Sequence, residues 1–298
     1  MLIEKNKNIL VGVSGGPDSM FLLNYLISNF DPKNIIVATV NYNFRTDSYK
    51  DIEIVKSFCE EKNIKFELLE IKTSVLFNGN FENYARNIRY NFFRQIYKKY
   101  MCNSLYLAHH KDDFIETYLM QKESKRQPLF FGIKKSTDLF GMHIERPLLD
   151  LYFKDEIEYF CKEKNIQFAI DYTNSDLKYT RNRIRDNLKT WTANEKEKLI
   201  LEINLQNKDL ILKQSEIDKQ YNKWINNGYN QEFIEDNKFA NNLVFKFITL
   251  NYKNIKLSSS KIKSIVSWIV STNNRTSKYL IKKNTFLIKR HGKLIIYN

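Results

Sequence analysis

No apolar run in this chain reaches the roughly 18 residues that a membrane-spanning helix needs. Nor does the amino terminus read as a signal peptide. MLIEKNKNILVGV passes from a charged stretch straight into a core-like strand, with no small-residue cleavage point after it. The expectation is a cytoplasmic protein with no membrane partner. Cysteine is scarce: Cys59, Cys102 and Cys161 are odd in number, far apart and never spaced C-x-x-C. That argues against a disulfide framework, a zinc ribbon or an iron–sulfur cluster, and for reduced, buried thiols. Internal repeats and extended low-complexity stretches are also missing.

What is present suits a globular α/β protein. The 298 residues are 43% hydrophobic and 14% aromatic, enough for one sizeable domain plus a smaller one. The formal charge is +14. An AT-rich coding style, heavy in Lys, Asn, Ile and Tyr, would account for it blandly. A polyanionic partner held through phosphate contacts would account for it functionally. Charge alone does not choose between them.

Along the chain, Asn8–Val13 is a short apolar run, followed by SGGPDS and the apolar-periodic MFLLNYLISNF: buried strand, loop, helix. A strand at 35–40, a helix near 48–62, a strand at 65–71, a long helix at about 81–100 and a buried strand at 104–110 follow, and DDFIETYLM opens another helix. Such alternation implies βαβ crossovers and an open parallel sheet of about five strands with helices on both faces, a Rossmann-like arrangement. Residues 122–141 read as a loop with some ordered apolar contacts, 151–164 and 178–190 as helices, and 193–226 as one long helical stretch. NNGYN (226–230) reads as a linker. The remainder holds two helical patterns and then strands turning at His291–Gly292, a small basic α+β domain. The expected division is 1–190 as the α/β domain, 191–228 as a helical linker and 229–298 as the C-terminal domain.

Ser14-Gly15-Gly16-Pro17-Asp18-Ser19 joins a buried strand to a helix N-terminus. Glycines there let the backbone approach a phosphate, and the unpaired amides and macrodipole attract its charge. Pro17 suits the first helical position, and the hydroxyls of Ser14 and Ser19 can donate to phosphate oxygens. The loop lacks the lysine of G-x-x-x-x-G-K-[ST]. It carries Asp18 instead, a carboxylate that would repel phosphate unless a divalent cation lay between them, so Mg²⁺ is expected beside ATP. The bland alternative is a strand-to-helix turn whose glycines serve only the backbone.

SGGPDS resembles the S-G-G-x-D-S loop of the PP-loop ATP pyrophosphatases, which split ATP between the α- and β-phosphates and transfer AMP to an oxygen of the substrate. Three further segments resemble the tRNA(Ile)-lysidine synthases in particular. They are Glu82-x-x-Ala85-Arg86-x-x-Arg89-Tyr90, then Ala108-His109-His110-Lys111-Asp112-Asp113-x-x-Glu116-Thr117, and finally Arg146-Pro147-Leu148-Leu149 with Asp171-x-Thr173-Asn174, Tyr179, Arg181, Asn182 and Arg185. Without the family, these would read as solvated charge, a helix-capping acid with a core histidine, and an ordinary basic helix. Two departures stand out: Tyr42 replaces a histidine in Asn41-Tyr42-Asn43-Phe44-Arg45, and KESKRQPLFFGI replaces a glycine-rich loop.

The resemblance implies an enzyme that binds ATP·Mg²⁺, free L-lysine and the isoleucine tRNA with anticodon CAU, and forms lysidine at the wobble cytidine. It implies Ser14, Gly15, Gly16, Pro17, Asp18 and Ser19 at ATP, and Asp18 with Asp113 at Mg²⁺. Arg89 or His109 would stabilise the α-phosphate and Glu116 would meet the lysine ammonium. Arg86, Arg146, Arg181 and Arg185 would lie on the tRNA surface together with the basic C-terminal domain. A homodimer is compatible with it. The rival readings are a tRNA 2-thiolase with the same adenylating loop and a non-catalytic RNA-binding protein that keeps a degenerate one.

Overall fold

Strand β1 (Ile9–Gly12) is apolar along its length because both of its faces are covered. Ile9 and Val11 point into a core built with α1 (Pro17–Ile27), α2 (Ser48–Glu61) and α5 (Lys154–Glu163). Leu10 points the other way, onto Tyr90, Phe92, Phe93 and Ile96 of α3 (Phe81–Lys99). The computed structural model describes residues 7–43, 47–72, 81–124, 128–169, 180–252, 255 and 257–296. Residues 1–204 and 205–298 form two separate units.

In the first unit, β1 pairs in parallel with β2 (Ile35–Asn41) on one side and β4 (Ser104–Tyr106) on the other. Strand β3 (Lys65–Glu70) extends the sheet beyond β2. On the far side, β6 (Met142–Glu145) lies parallel to β4, and β5 (Ser136–Leu139) runs antiparallel to β6. The order β3-β2-β1-β4-β6-β5 thus gives five parallel strands and an antiparallel sixth at the edge. The β5–β6 pair lies partly within the stretch expected to be loop. Its sequence, STDL then MHIE, is too polar and short to announce a strand.

Between β1 and β4 the chain reverses its direction of travel across the sheet, which opens a crevice at the carboxyl ends of those two strands. The loop after β1 and the start of α4 (Lys111–Glu123) both lie there. Helices α6 (Thr180–Leu188) and the first part of α7 (Ala193–Asn226) belong to the same unit. Ile184, Leu188 and Trp191 cover Ile115 and Phe153.

The second unit contains the rest of α7, α8 (Glu232–Glu235), α9 (Ala240–Asn251), α10 (Ser259–Val270) and an antiparallel sheet of β7 (Ser277–Lys282), β8 (Thr285–Arg290) and β9 (Lys293–Ile295). NNGYN is a packed helix end instead of a loose linker. Gly228 and Tyr229 take φ of 62° and 55°, and the Tyr229 ring sits 5.2 Å from Trp224 and 4.8 Å from Phe247. The β8–β9 turn falls at His291–Gly292, both at positive φ, as a two-residue hairpin of this twist requires. Lys289 on β8 is fully buried and donates to the carbonyls of Trp268, Ile269 and Ser271 at the end of α10. Its three N–H groups thereby meet three of the carbonyls that a helix end leaves open.

A Cβ placed on Gly12 would lie 2.8 Å from Phe93 Cζ and 2.9 Å from Leu107 Cδ2, so α3 can approach β1 only over a glycine. Gly12→Ala is expected to lower stability by about 1–3 kcal/mol through overpacking, read as a shifted urea midpoint. An unchanged midpoint would mean that the contact is loose.

Candidate active site

The loop after β1 is braced from within. Ser19 Oγ donates to the Gly16 carbonyl (3.0 Å) and accepts from the Ser14 amide (3.1 Å), with Ser14 Oγ 3.2 Å away. Ser19 is buried and Ser14 exposed. The Ser19 proton is therefore used in holding the loop's shape, and Ser14 is the hydroxyl left to meet a phosphate. Gly15 sits at φ 88°, and a Cβ there would lie 2.8 Å from the Asp51 carbonyl oxygen of α2. Both strain and backbone collision require glycine. Gly16 is the N-cap of α1 with no side-chain cap hydrogen bond, and Pro17 opens the helix. The first amides of α1 thus face the crevice mouth without a side-chain acceptor of their own.

Asp18, in the first turn of α1, places Oδ1 2.7 Å from Lys154 Nζ and Oδ2 3.9 Å from His110 Nε2. Asp113, in the first turn of α4, approaches the same ring nitrogen: its Oδ2 lies 3.5 Å from His110 Nε2 and accepts the His110 amide at 3.0 Å. The acid therefore caps its helix and faces the site at once. The carboxylates of Asp18 and Asp113 come from opposite sides of the crevice and converge on one imidazole. Asp112 stands 3.5 Å from His110 Nδ1, accepts Lys196 Nζ at 2.7 Å and accepts the Lys154 amide at 2.7 Å.

The two histidines separate electrostatically. Burial works to lower the His110 pKa, but Asp113, Asp112 and Asp18 outweigh it and raise it, favouring the imidazolium. His109 is pushed down to about 4 by burial, against the pull of Asp113 and with help from Arg146, Arg181 and His110. Its Nδ1 is buried without a partner. His109 is therefore neutral near pH 7 and supplies no positive charge to a phosphate. The ring pushed toward its charged form is His110, to which the sequence reading gave no role. Asp112 and Asp113 are held below the ordinary carboxylate range: burial raises them, and the opposing attraction of His110, joined by Lys196 for Asp112 and Arg181 for Asp113, prevails.

Glu116, one turn along α4, is 1% exposed. Its Oε2 accepts Arg181 Nε (2.8 Å) and Arg185 Nη2 (3.1 Å), and Oε1 accepts Arg185 Nε (2.7 Å). Arg181 Nη2 also reaches Asp113 Oδ1 at 2.7 Å. Two expectations change here. Arg181 and Arg185 are paired with acids and still partly exposed, at 43% and 41% of their side chains, so they order the site first and can reach RNA only from there. Glu116 is already charge-paired, and of the roughly four lone-pair directions of a carboxylate one remains.

Arg146 is also corrected. It is 5% exposed and donates Nη1 to the Lys134 carbonyl at 2.8 Å, so it pins the segment before β5 and presents no surface for RNA. Arg86 is exposed and lies 4.7 Å over the Tyr90 ring. Arg89 is exposed on the same helix. Tyr42 donates its hydroxyl to the Ala85 carbonyl at 2.8 Å, which ties the end of β2 to α3 just before these arginines. Asp171, Thr173, Asn174, Tyr179, Phe44 and Arg45 lie outside the described residues.

Lys154 and Lys196 were also missed, since lone lysines in a lysine-rich chain carry no local signal. No group of three or more His, Cys, Asp or Glu among the described residues forms a metal centre by itself. The donor set that does exist, two converging carboxylates beside free helix amides, suits a hard cation that keeps water and shares phosphate oxygens. Mg²⁺ carried in with a nucleotide fits it.

A family model described as a PP-loop domain matches residues 2–191. The tRNA(Ile)-lysidine synthase of Mycoplasmopsis pulmonis is 40% identical over 284 residues, covering 94% of this chain and 96% of that one. Those of Mesomycoplasma hyopneumoniae and Mycoplasma genitalium are 36% and 33% identical, each covering 97% or more of both chains. Among solved structures, the U34-tRNA thiolase NcsA of Methanococcus maripaludis, with its [4Fe-4S] cluster, aligns with a TM-score of 0.56 at 20% identity. It covers 70% of this chain and 74% of that one, a likeness of fold alone. The phosphate loop, the acids facing it across the crevice and near-full-length relatives together place the chain: it belongs to the tRNA(Ile)-lysidine synthase family of PP-loop enzymes.

Proposed function

We propose that the chain uses ATP to attach free L-lysine to C2 of the wobble cytidine in the CAU-anticodon isoleucine tRNA, forming lysidine, AMP and pyrophosphate. The observation that carries this reading is the convergence of Asp18 and Asp113 on one point beside the phosphate loop, in a chain of this family. The cytidine C2 oxygen attacks the α-phosphorus, the bond to the β-phosphate breaks and pyrophosphate leaves. The lysine ε-amine then attacks C2 and loses a proton, while the C2–O bond breaks and AMP departs. Adenylation thus turns a poor leaving oxygen into a phosphate ester. The substrate places this work in the cytoplasm.

The α1 amides and Ser14 hold the phosphates, with Gly15, Gly16 and Pro17 shaping the approach. Asp18 and Asp113 would hold Mg²⁺, which would supply charge neutralisation at the phosphates. Lys154, paired with Asp18 at 2.7 Å, would supply the cation that the loop itself lacks. Arg89 carries positive charge toward the α-phosphate, the role for which His109 is unsuited by its neutrality. For Glu116 to receive the substrate ammonium, a guanidinium must give way, and a tRNA phosphate drawing off Arg181 or Arg185 would achieve that. The cysteines weigh against thiolase chemistry. All three are buried, with thiols pushed up by burial to about 12, 12 and 11, far from the thiolate that sulfur transfer needs.

Radiolabelled lysine should enter unmodified isoleucine tRNA(CAU) with ATP, Mg²⁺ and this protein alone, and Asp18→Ala should abolish it. Release of AMP and pyrophosphate without lysine incorporation would keep the adenylation and overturn the nucleophile. Asp113→Asn is expected to cut turnover about 100-fold or more with tRNA affinity within about twofold; wild-type turnover would remove Asp113 from the site. Lys154→Ala should raise KM for ATP about tenfold, the scale of one charge-assisted hydrogen bond, leaving tRNA affinity unchanged. An unchanged KM would mean that the lysine serves only to neutralise Asp18.

A further inference from the structure

The end of β2 carries a side chain that the phosphate site does not use. Thr39 Oγ1 donates to the Val13 carbonyl at 2.9 Å, and the Val13 amide donates to the Ala38 carbonyl at 3.0 Å. This part of β2 is thereby tied to the last residue before the phosphate loop. Just beyond it, the backbone around Tyr42 is clamped on both sides. Asn43 gives its amide to Asn41 Oδ1 at 2.9 Å and accepts Asn41 Nδ2 on its own Oδ1 at 2.8 Å. Asn43 Nδ2 donates to the Ile71 carbonyl at 2.8 Å, and the Ile71 amide donates to the Asn41 carbonyl at 2.8 Å. Asn43 turns at φ 49°, a left-handed conformation that asparagine tolerates better than most residues. The base of the Tyr42 side chain is therefore fixed relative to β1, β2 and the end of β3.

Its tip reaches α3, where the hydroxyl donates to the Ala85 carbonyl at 2.8 Å. In an α-helix the carbonyl of residue i accepts the amide of residue i+4, so Ala85 is also the acceptor for the Arg89 amide. Tyr42 thus holds the turn of α3 from which the Arg89 side chain departs. Burial raises the Tyr42 phenol above its ordinary value and the Arg89 charge draws it back, so the two groups lie within electrostatic reach. Arg89 is exposed and pairs with no acid among the described residues, which leaves its backbone as the part that the fold can place. The histidine that Tyr42 replaces, a smaller ring without an exocyclic hydroxyl, would stop short of the Ala85 carbonyl.

We propose that Tyr42 is a positioning residue for Arg89: its hydroxyl fixes the Ala85–Arg89 turn against the phosphate-loop edge of the sheet and so sets where the guanidinium meets the α-phosphate. This rests on the role given to Arg89 above and names the residue through which the sheet imposes it. Such placement matters, because a misplacement of about 1 Å can cost roughly 100-fold in rate.

The test compares full-length wild type with Tyr42→Phe, Tyr42→His, Arg89→Ala and the Tyr42→Phe/Arg89→Ala double variant. Turnover is read as pyrophosphate released from ATP with unmodified isoleucine tRNA(CAU), which reports adenylation whether or not lysine follows. Tyr42→Phe keeps the ring and removes the hydroxyl. It should lower kcat about fivefold, the scale of one neutral hydrogen bond, with KM for ATP within about twofold of wild type. Tyr42→His should be as slow. In the Arg89→Ala background, removing the hydroxyl should change nothing further, since Tyr42 acts through the arginine. Hydrogen exchange gives a readout independent of activity. Amides of the Ala85–Arg89 turn should exchange faster in Tyr42→Phe, while the sheet stays protected as in wild type, which also shows that the variant is folded. Wild-type kcat and exchange in Tyr42→Phe overturn the proposal. So does an equal further loss in the Arg89→Ala background, which marks a purely structural role, or a raised KM with kcat unchanged. A slow Arg89→Ala beside a normal Tyr42→Phe sinks only the positioning, whereas wild-type turnover in Arg89→Ala sinks the role of Arg89 itself. No pyrophosphate from the wild type fails the lysidine reading, and unaltered exchange in Tyr42→Phe fails the tie separately.

Discussion

Three carboxylates in the first two turns of α4 can be buried only because each of them has a cation, and the half-buried Asp18 facing them has one too. Asp112 is met by Lys196, Asp113 and Glu116 by Arg181 and Arg185, and Asp18 by Lys154, with His110 in their midst and its pKa raised by them. A buried charge without a partner is prohibitively unfavourable, and removing one member of such a pair typically destabilises by roughly 3–5 kcal/mol. The lattice therefore dictates where its contributors must sit. The start of α5, the whole of α6 and the first turn of α7 are drawn to one helix end by charge, and the apolar contacts of Ile115, Phe153, Ile184 and Leu188 fill in behind.

The same lattice explains how a phosphate site tolerates acids. Without nucleotide, Lys154 and His110 satisfy Asp18 from the protein itself. A nucleotide bringing a cation would exchange one set of positive partners for another and leave the acids with a counter-charge throughout. Preorganisation of this kind keeps the crevice in shape before substrate arrives, with little left to rearrange when it does.

Much of the architecture could be read locally. The run Ile9–Gly12, the glycines and Pro17 define strand, loop and helix by short-range rules, and α3 announces itself through Ile88, Phe92 and Ile96 at helical spacing. What could not be read was which way a charged side chain turns. Arg146, Arg181 and Arg185 look alike in sequence, yet one pins a carbonyl and two pair with acids on another helix. His109 and His110 are neighbours whose pKa values move in opposite directions, His109 down through burial and His110 up through Asp113, Asp112 and Asp18, and burial cannot be read from sequence. Lys154 owes its place to Asp18, 136 residues earlier, and Lys196 to Asp112, 84 earlier. Ser19 reads as a phosphate donor, but a loop that must hold its shape without ligand consumes the nearest hydroxyl for itself. The edge strand β5 escaped because an exposed, four-residue strand needs no apolar alternation.

Lys289 links two elements that are separate in sequence. Its ammonium completes the carbonyl end of α10, and α10 in turn shields that charge beneath Trp268. Pulling β8 away would bare the helix end, and unwinding the helix would strand a buried cation in the sheet. Helix and hairpin are therefore one cooperative unit that opens all at once, with a single opening free energy shared by the amides of both. The exposed face of the sheet inherits its rigidity from an interaction on the opposite side.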